Sequence, residues 1–377
     1  MSAVERLGSM LKVLDSRHRR RVLAPRRGLD FASNDYLGLA QSRILGQAAR
    51  EALDRGVALG SGGSRLLRGN HPEHEALEQE AAAFFGAEAA LFMGGGFQAN
   101  QAIFSSLPAA GDLVLYDALV HASAHEGMRT GRAETRSFGH NDVADGRRVA
   151  ADWRAAGGSG QIWIAVESVY SMEGDLAPLE DLAALARALG AVLVVDEAHA
   201  TGVFGPEGRG RAHGLDAELV TLHTCGKGLG VSGGLICGPK VMIEALINRA
   251  RPFIFATAPS PFDAALVRAA LGVLQTDGSL VDAAGARMRH AHAEARRHAI
   301  DHVTLHSQII PVFLGDDART MTWAADLQAK GFDVRGIRPP TVPRDTSRLR
   351  ISITGNVGEA DITALFRALA HQQKEAG

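Results

Sequence analysis

From about residue 89 onward, apolar residues recur in short β-branched runs, and Ala- and Leu-rich stretches of helical spacing lie between them. The runs predict strands at Ala89 to Phe92, Asp112 to Tyr116, Gln161 to Glu167, Ala191 to Asp196, Leu219 to Thr224 and Gly234 to Cys237. The stretches predict helices at Gln98 to Leu107, Asp142 to Ala156 and Leu179 to Leu189. Each is too short for a coiled coil and suits a crossover in a mainly parallel sheet, so the fold class is α/β, with a site built from loops at strand C-termini.

Past about residue 245 the texture changes. Longer Ala/Arg/His-rich helical segments, Phe262 to Gln275 and Leu280 to Ala299, precede strand-like runs at Ile309 to Leu314 and Leu349 to Ile353. A smaller α+β unit is the reading, and the chain divides into an N-terminal segment (1–45), a large α/β domain (46–250) and a C-terminal α+β domain (251–377). Arg335 to Ser347, rich in proline and arginine, reads as a loop. The Arg/His-rich stretch Arg287 to His298 reads as a solvated helix face.

Composition narrows the function. With 377 residues, 46% of them hydrophobic, the chain can build a sizeable core, and a net charge of −2 gives no electrostatic reason to expect nucleic acid or membrane. The basic run Arg17 to Arg21, with Arg26 and Arg27, is not followed by a secretory apolar segment, and nowhere do 18 apolar residues run together. Cytoplasmic location is the expectation. Two cysteines, Cys225 and Cys237, are too few for a disulfide framework or a cysteine metal cluster.

Candidate chemistry lies where the expected strands end. Val194 to Gly202 is an apolar strand whose end presents Asp196, with His199 three residues on. A carboxylate there needs a partner; a protonated ring nitrogen and a helix-capping role are about equally good readings. Thr221 to Gly230 places Lys227 between two glycines directly after a strand, open to close approach by a ligand, although such lysines are more often surface residues. Walker-type phosphate binding is excluded, since Gly228 follows the lysine where Ser or Thr is required. Gly94 to Asn100 follows a strand and opens a helix, which suits a phosphate, and His121 follows another strand, where it can stack on a flat ring or simply cap a helix. Pyridoxal 5'-phosphate (PLP) needs a lysine, a carboxylate for its ring nitrogen, phosphate donors and a flat partner together, and the order of these segments supplies each.

In these motifs the chain resembles the α-oxoamine synthases, PLP enzymes of fold type I, over nearly its whole length. The resemblance rests on Phe31 to Leu39, Gly60 to Arg65, His74 to Glu78, Gly96-Phe97, His121 to Ser123, Glu167 to Asp175, Asp196 to Gly202, Thr224 to Gly230 and Ile337 to Pro343. It implies a large PLP domain and a smaller C-terminal one, in a homodimer with sites at the interface. By the same resemblance Lys227 forms the imine with PLP, Asp196 holds the ring nitrogen protonated, and His199 contacts the ring hydroxyl. His121 stacks on the ring, Gly96 and Phe97 give phosphate-binding backbone, and Ser171 and Thr224 add hydroxyls. Arg350 grips the amino-acid carboxylate, with Asn34 and Thr354 as further substrate contacts, whereas Arg348 reads as a surface residue whose face is ambiguous.

The reaction so implied joins an amino acid, L-alanine foremost, to an acyl thioester of coenzyme A or a carrier protein, with loss of carbon dioxide. The Ile337 to Pro343 motif inclines toward the branch that uses a pimeloyl donor on the way to biotin. The alternatives are condensation of glycine with acetyl-CoA, a PLP aminotransferase, and a catalytically silent partner subunit. A panel of amino acids and acyl thioesters separates them.

Overall fold

The computed structural model describes residues 1–376. They form two compact units, described separately. The larger comprises 37–171 and 176–282, and the smaller comprises 1–36, 172–175 and the described residues from 283 onward. The sequence reading drew its divisions after residues 45 and 250. The helix Pro261–Thr276 stays with the larger unit because Ala264, Val267 and Leu271 are buried on its inner face and it packs on the helices Arg43–Asp54 and Pro72–Phe85.

The larger unit is built on a seven-stranded sheet in the order Ala89–Met93, Gly234–Gly238, Glu218–Thr224, Val192–Asp196, Ile162–Glu167, Leu113–Asp117, Glu134–Phe138. Gly234–Gly238 runs antiparallel to both neighbours, and every other pairing is parallel. The mainly parallel α/β expectation is borne out, and all six expected strands appear within a residue or so of their expected bounds.

Alternation along these strands feeds two cores. Val114, Ala165, Val194 and Leu222 point into one, and Leu113, Leu115, Ile164 and Val195 into the other. A sheet buried on both faces is what makes its strands read as continuous apolar runs, since each Val, Leu or Ile removed from water stabilises the fold by about 1.5–3 kcal/mol. Glu134–Phe138 escaped the sequence reading because it is a polar edge strand with exposed Glu134, Thr135 and Ser137.

The smaller unit carries an antiparallel sheet, Arg335–Ile337, Ser347–Ser352, Ile309–Gly315, and a short parallel pair, Leu29–Asp30 with Phe332–Asp333. Its core is formed by Ile310, Val312, Leu349, Ile351 and the helix residues Leu327, Leu365 and Phe366. The stretch 335–347 is therefore not loop throughout: Arg335–Ile337 pairs with Arg348–Arg350. The N-terminal helix Ala3–Ser16 begins with a capping box in which Ser2 and Glu5 satisfy each other's backbone N–H groups. Among the described residues no helix is long and apolar enough to cross a membrane.

Candidate active site

Five strands of the larger sheet deliver site residues from their C-terminal ends, the place where open α/β sheets bind ligands. Ala89–Met93 leads into Gly94 to Gly96, and Leu113–Asp117 leads to His121. Ile162–Glu167 leads to Ser171, Val192–Asp196 to Asp196 and His199, and Glu218–Thr224 to Lys227.

The amine and carboxylate come first. Lys227 Nζ lies 2.8 Å from His199 Nε2. Asp196 Oδ1 accepts the Ala198 N–H at 2.9 Å, and its Oδ2 accepts the Asn100 side-chain N–H at 2.8 Å. The capping reading is seen directly, since one oxygen of Asp196 caps the turn that follows, and the other is held by a side chain from the helix Gly96–Ser106. Asn100 also donates to Ser123 Oγ (2.9 Å), and Ser123 Oγ lies 2.7 Å from His121 Nδ1. Asn100, Asp196 and His121 line a common small cavity with Glu167, whose Oε2 accepts the Ser171 N–H at 3.1 Å.

The anion end is built from backbone. Gly95 is the N-cap of the helix Gly96–Ser106 and offers no side chain to its first N–H groups, so these groups and the positive end of the helix dipole are presented to an incoming anion. A Cβ on Gly95 would meet nothing within 4 Å, whereas one on Gly96 would come within 3.3 Å of Thr224 Oγ1. Gly234 is glycine for a related reason: a Cβ there would lie 2.8 Å from the Gly95 carbonyl carbon. The helix start and the Thr224 side chain therefore lie close together. The donor set as a whole fits PLP: a lysine, a carboxylate and an imidazole that line one small cavity or its neighbourhood, and a helix start without fixed charge.

Electrostatics follow burial. Burial of the His121 ring pushes its pKa down, as does the Lys227 amine, against the opposing pull of Asp196. Glu197, buried beside Asp196 in sequence, is pushed up by desolvation while Ser168 Oγ and the Ala212 N–H donate to it. Both cysteines are buried, and burial raises their thiols.

Within the smaller unit, Arg350 and Asn34 are brought together. Arg350 donates to Asn34 Oδ1 (3.1 Å) and to Ser352 Oγ (2.8 Å), and Tyr36 OH donates to the same Asn34 oxygen at 3.0 Å. Thr354 Oγ1 donates to the Asp30 carbonyl (2.9 Å), tying the end of the strand Ser347–Ser352 to the N-terminal segment. Arg348 corrects the sequence reading. It is 2% exposed, donates to Glu173 Oε1 at 2.8 Å and lies over the Phe313 ring at 4.4 Å. It shares the Arg350 face of a strand buried at every position, so its charge is neutralised internally.

Asn100 and Ser123 are the functional candidates that sequence reasoning missed. A signal was present: Asn100 falls on the same helical face as Ala99, Ile103 and Ser106, a polar residue at a buried position.

The comparisons with known proteins agree with this geometry. A family profile described as Aminotransferase class I and II matches residues 26–369. The 8-amino-7-oxononanoate synthases of Anaeromyxobacter dehalogenans and Geobacter sulfurreducens are each 40% identical, over 98% of this chain and 95% of theirs. A serine palmitoyltransferase from S. paucimobilis, solved with bound PLP-myriocin aldimine, superposes with a TM-score of 0.88 at 27% identity, covering 100% of this chain and 99% of that one.

Fold and site define a PLP-dependent transferase of fold type I. The chain belongs to the aminotransferase class I and II family, within the branch of the 8-amino-7-oxononanoate synthases. The resemblance to α-oxoamine synthases and the expectation of PLP are both borne out.

Proposed function

We propose that the chain condenses L-alanine with a pimeloyl thioester, releasing thiol and carbon dioxide with uptake of one proton, to give 8-amino-7-oxononanoate for biotin synthesis. The observation that carries this reading is the 40% identity, over 98% of the chain, to 8-amino-7-oxononanoate synthases, supported by Asp196 at the end of one strand and Lys227 in the loop after its parallel neighbour.

Bound PLP supplies a pyridinium ring that takes up the electron pair released at the substrate α-carbon. Lys227 would hold the cofactor and, as a free amine, would move the proton at the substrate α-carbon. Asp196 would hold the ring nitrogen protonated, with its negative charge beside it. The N–H groups of Gly96 and Phe97 and the Thr224 hydroxyl hold the phosphate, with Ser171 as a further hydroxyl. His121 would lie against the ring and His199 would meet its hydroxyl. Arg350, with Asn34 and Thr354, takes the amino-acid carboxylate, for which a planar guanidinium is better matched than an ammonium.

The acyl donor is coenzyme A or a carrier protein, the enzyme works in the cytoplasm, and it is a homodimer. Exposed Leu59, Leu66, Leu67 and Phe255 on the larger unit support the last statement, as side chains a second copy would cover.

The test is thiol release from a panel of acyl thioesters with alanine, glycine and serine. Alanine with the pimeloyl donor is expected to turn over fastest. Glycine with acetyl-CoA as the best pair would make the enzyme a glycine acetyltransferase, and amino transfer to a 2-oxo acid without thiol release would make it an aminotransferase.

A further inference from the structure

His121 caps the helix Ala122–Thr130 with its own ring: Nδ1 accepts the Ser123 backbone N–H at 3.3 Å. An amide nitrogen only donates, so Nδ1 must carry a lone pair there. A second group meets the same atom, Ser123 Oγ at 2.7 Å. A hydroxyl can face either way, and against an Nδ1 lone pair already accepting the Ser123 N–H it is the donor.

Asn100 presents one side-chain atom to Asp196 Oδ2 (2.8 Å) and to Ser123 Oγ (2.9 Å). A carboxylate only accepts, so that atom is the amide nitrogen, and its second N–H points at Ser123 Oγ. The serine oxygen accepts from Asn100 with one of its two lone pairs, which leaves its proton for the lone pair on His121 Nδ1. Donation thus runs from Asn100 both to Asp196 and to Ser123, and from Ser123 on to His121. Asn100 is 3% and Ser123 1% exposed, so water does not substitute for either link.

Resting on the PLP reading above, we infer that Asn100 and Ser123 are positioning residues that hold His121 neutral with its proton on Nε2. His121 therefore offers a hydrogen-bond donor over the ring, and the α-proton is left to Lys227. An imidazolium would have to donate from Nδ1 into the Ser123 N–H, losing the helix cap and reversing the hydroxyl. The charges around the ring are Asp196, which favours protonation, and Lys227 and His125, which oppose it.

The test is histidine-selective 15N NMR on the full-length protein, with the His121 signal assigned by its loss in His121→Gln. In wild type, Nδ1 is expected as an unprotonated nitrogen and Nε2 as a protonated one, persisting to lower pH than the signals of exposed histidines. Ser123→Ala is expected to give mixed tautomers and to lower kcat roughly tenfold, the worth of one hydrogen bond, with a smaller change in KM, and Ser123→Thr restores both. A wild-type Nδ1–H tautomer or imidazolium overturns the inference, as does an unchanged tautomer in both Ser123→Ala and Asn100→Ala. Because the tautomer is read without substrate, the two readings fail separately. An Nε2–H His121 in a protein that forms no product rejects the reaction alone, and product formation with an Nδ1–H His121 rejects the inference alone.

Discussion

Lys227 and His199, 28 residues apart, meet at 2.8 Å between the amine nitrogen and Nε2. The contact exists because the strands Val192–Asp196 and Glu218–Thr224 are parallel neighbours whose C-terminal loops fall side by side. Replacing Lys227 with alanine is expected to cut turnover by on the order of a thousandfold or more, as loss of a nucleophile does. His199→Phe keeps the lysine and removes its neighbour, so PLP affinity is expected to fall about tenfold. Turnover and PLP titration by fluorescence check the two.

Asp196 and Asn100 separate charge from aim. Asp196→Asn removes the negative charge proposed to face the ring nitrogen, and kcat is expected to fall roughly a hundred- to a thousandfold. Asn100→Ala leaves the charge and loses one bond to it, for a fall of about tenfold. Steady-state kinetics on both variants are the measurement, and equal losses would contradict the division.

Arg350→Lys tests the carboxylate assignment. A lysine keeps the charge and loses the fork, so KM for the amino acid is expected to rise on the order of tenfold, while KM for the acyl thioester stays within about twofold.

How much of this was legible in the chain depends on where burial and polarity coincide. Val192–Asp196 and Ile162–Glu167 were legible because both of their faces are covered. Asp196 ends a strand, and His121, His199 and Lys227 lie three or four residues beyond the ends of theirs, so a recognisable order of motifs singles them out as candidates. Asn100 and Ser123 were passed over because a helix asparagine and a serine after a histidine look like ordinary surface or cap residues until the cores on either side are known. Arg348 failed for the opposite reason: its partner Glu173 is 175 residues away in sequence, and no local pattern announces such a pair.

Arg348→Met is expected to destabilise the protein by about 3 kcal/mol, the low end for breaking a buried ion pair, because it leaves Glu173 without its cation. Urea denaturation measures this, with Glu173→Gln as the milder companion.

Two buried histidines set an acid limit on stability. Burial lowers His223 to about 3 and His74 to about 4 from an ordinary 6.5. His223 is held between the Thr201 and Thr221 hydroxyls and stacks on Phe85 at 3.6 Å. Below about pH 6.5 the unfolded chain binds protons that the folded chain refuses, so stability falls as pH drops toward 4 and 3. His223→Gln, which can keep polar contacts and does not titrate, is expected to show a smaller loss between pH 7 and pH 5 in denaturation midpoints than wild type.

The proposed chemistry depends on Lys227 carrying the cofactor. Borohydride reduction of the PLP-loaded protein, followed by proteolysis and mass mapping, tests it most directly. A pyridoxyl group on the peptide containing Lys227, absent after Lys227→Ala, is the expected result. A pyridoxyl group on another lysine, or on none, would contradict it.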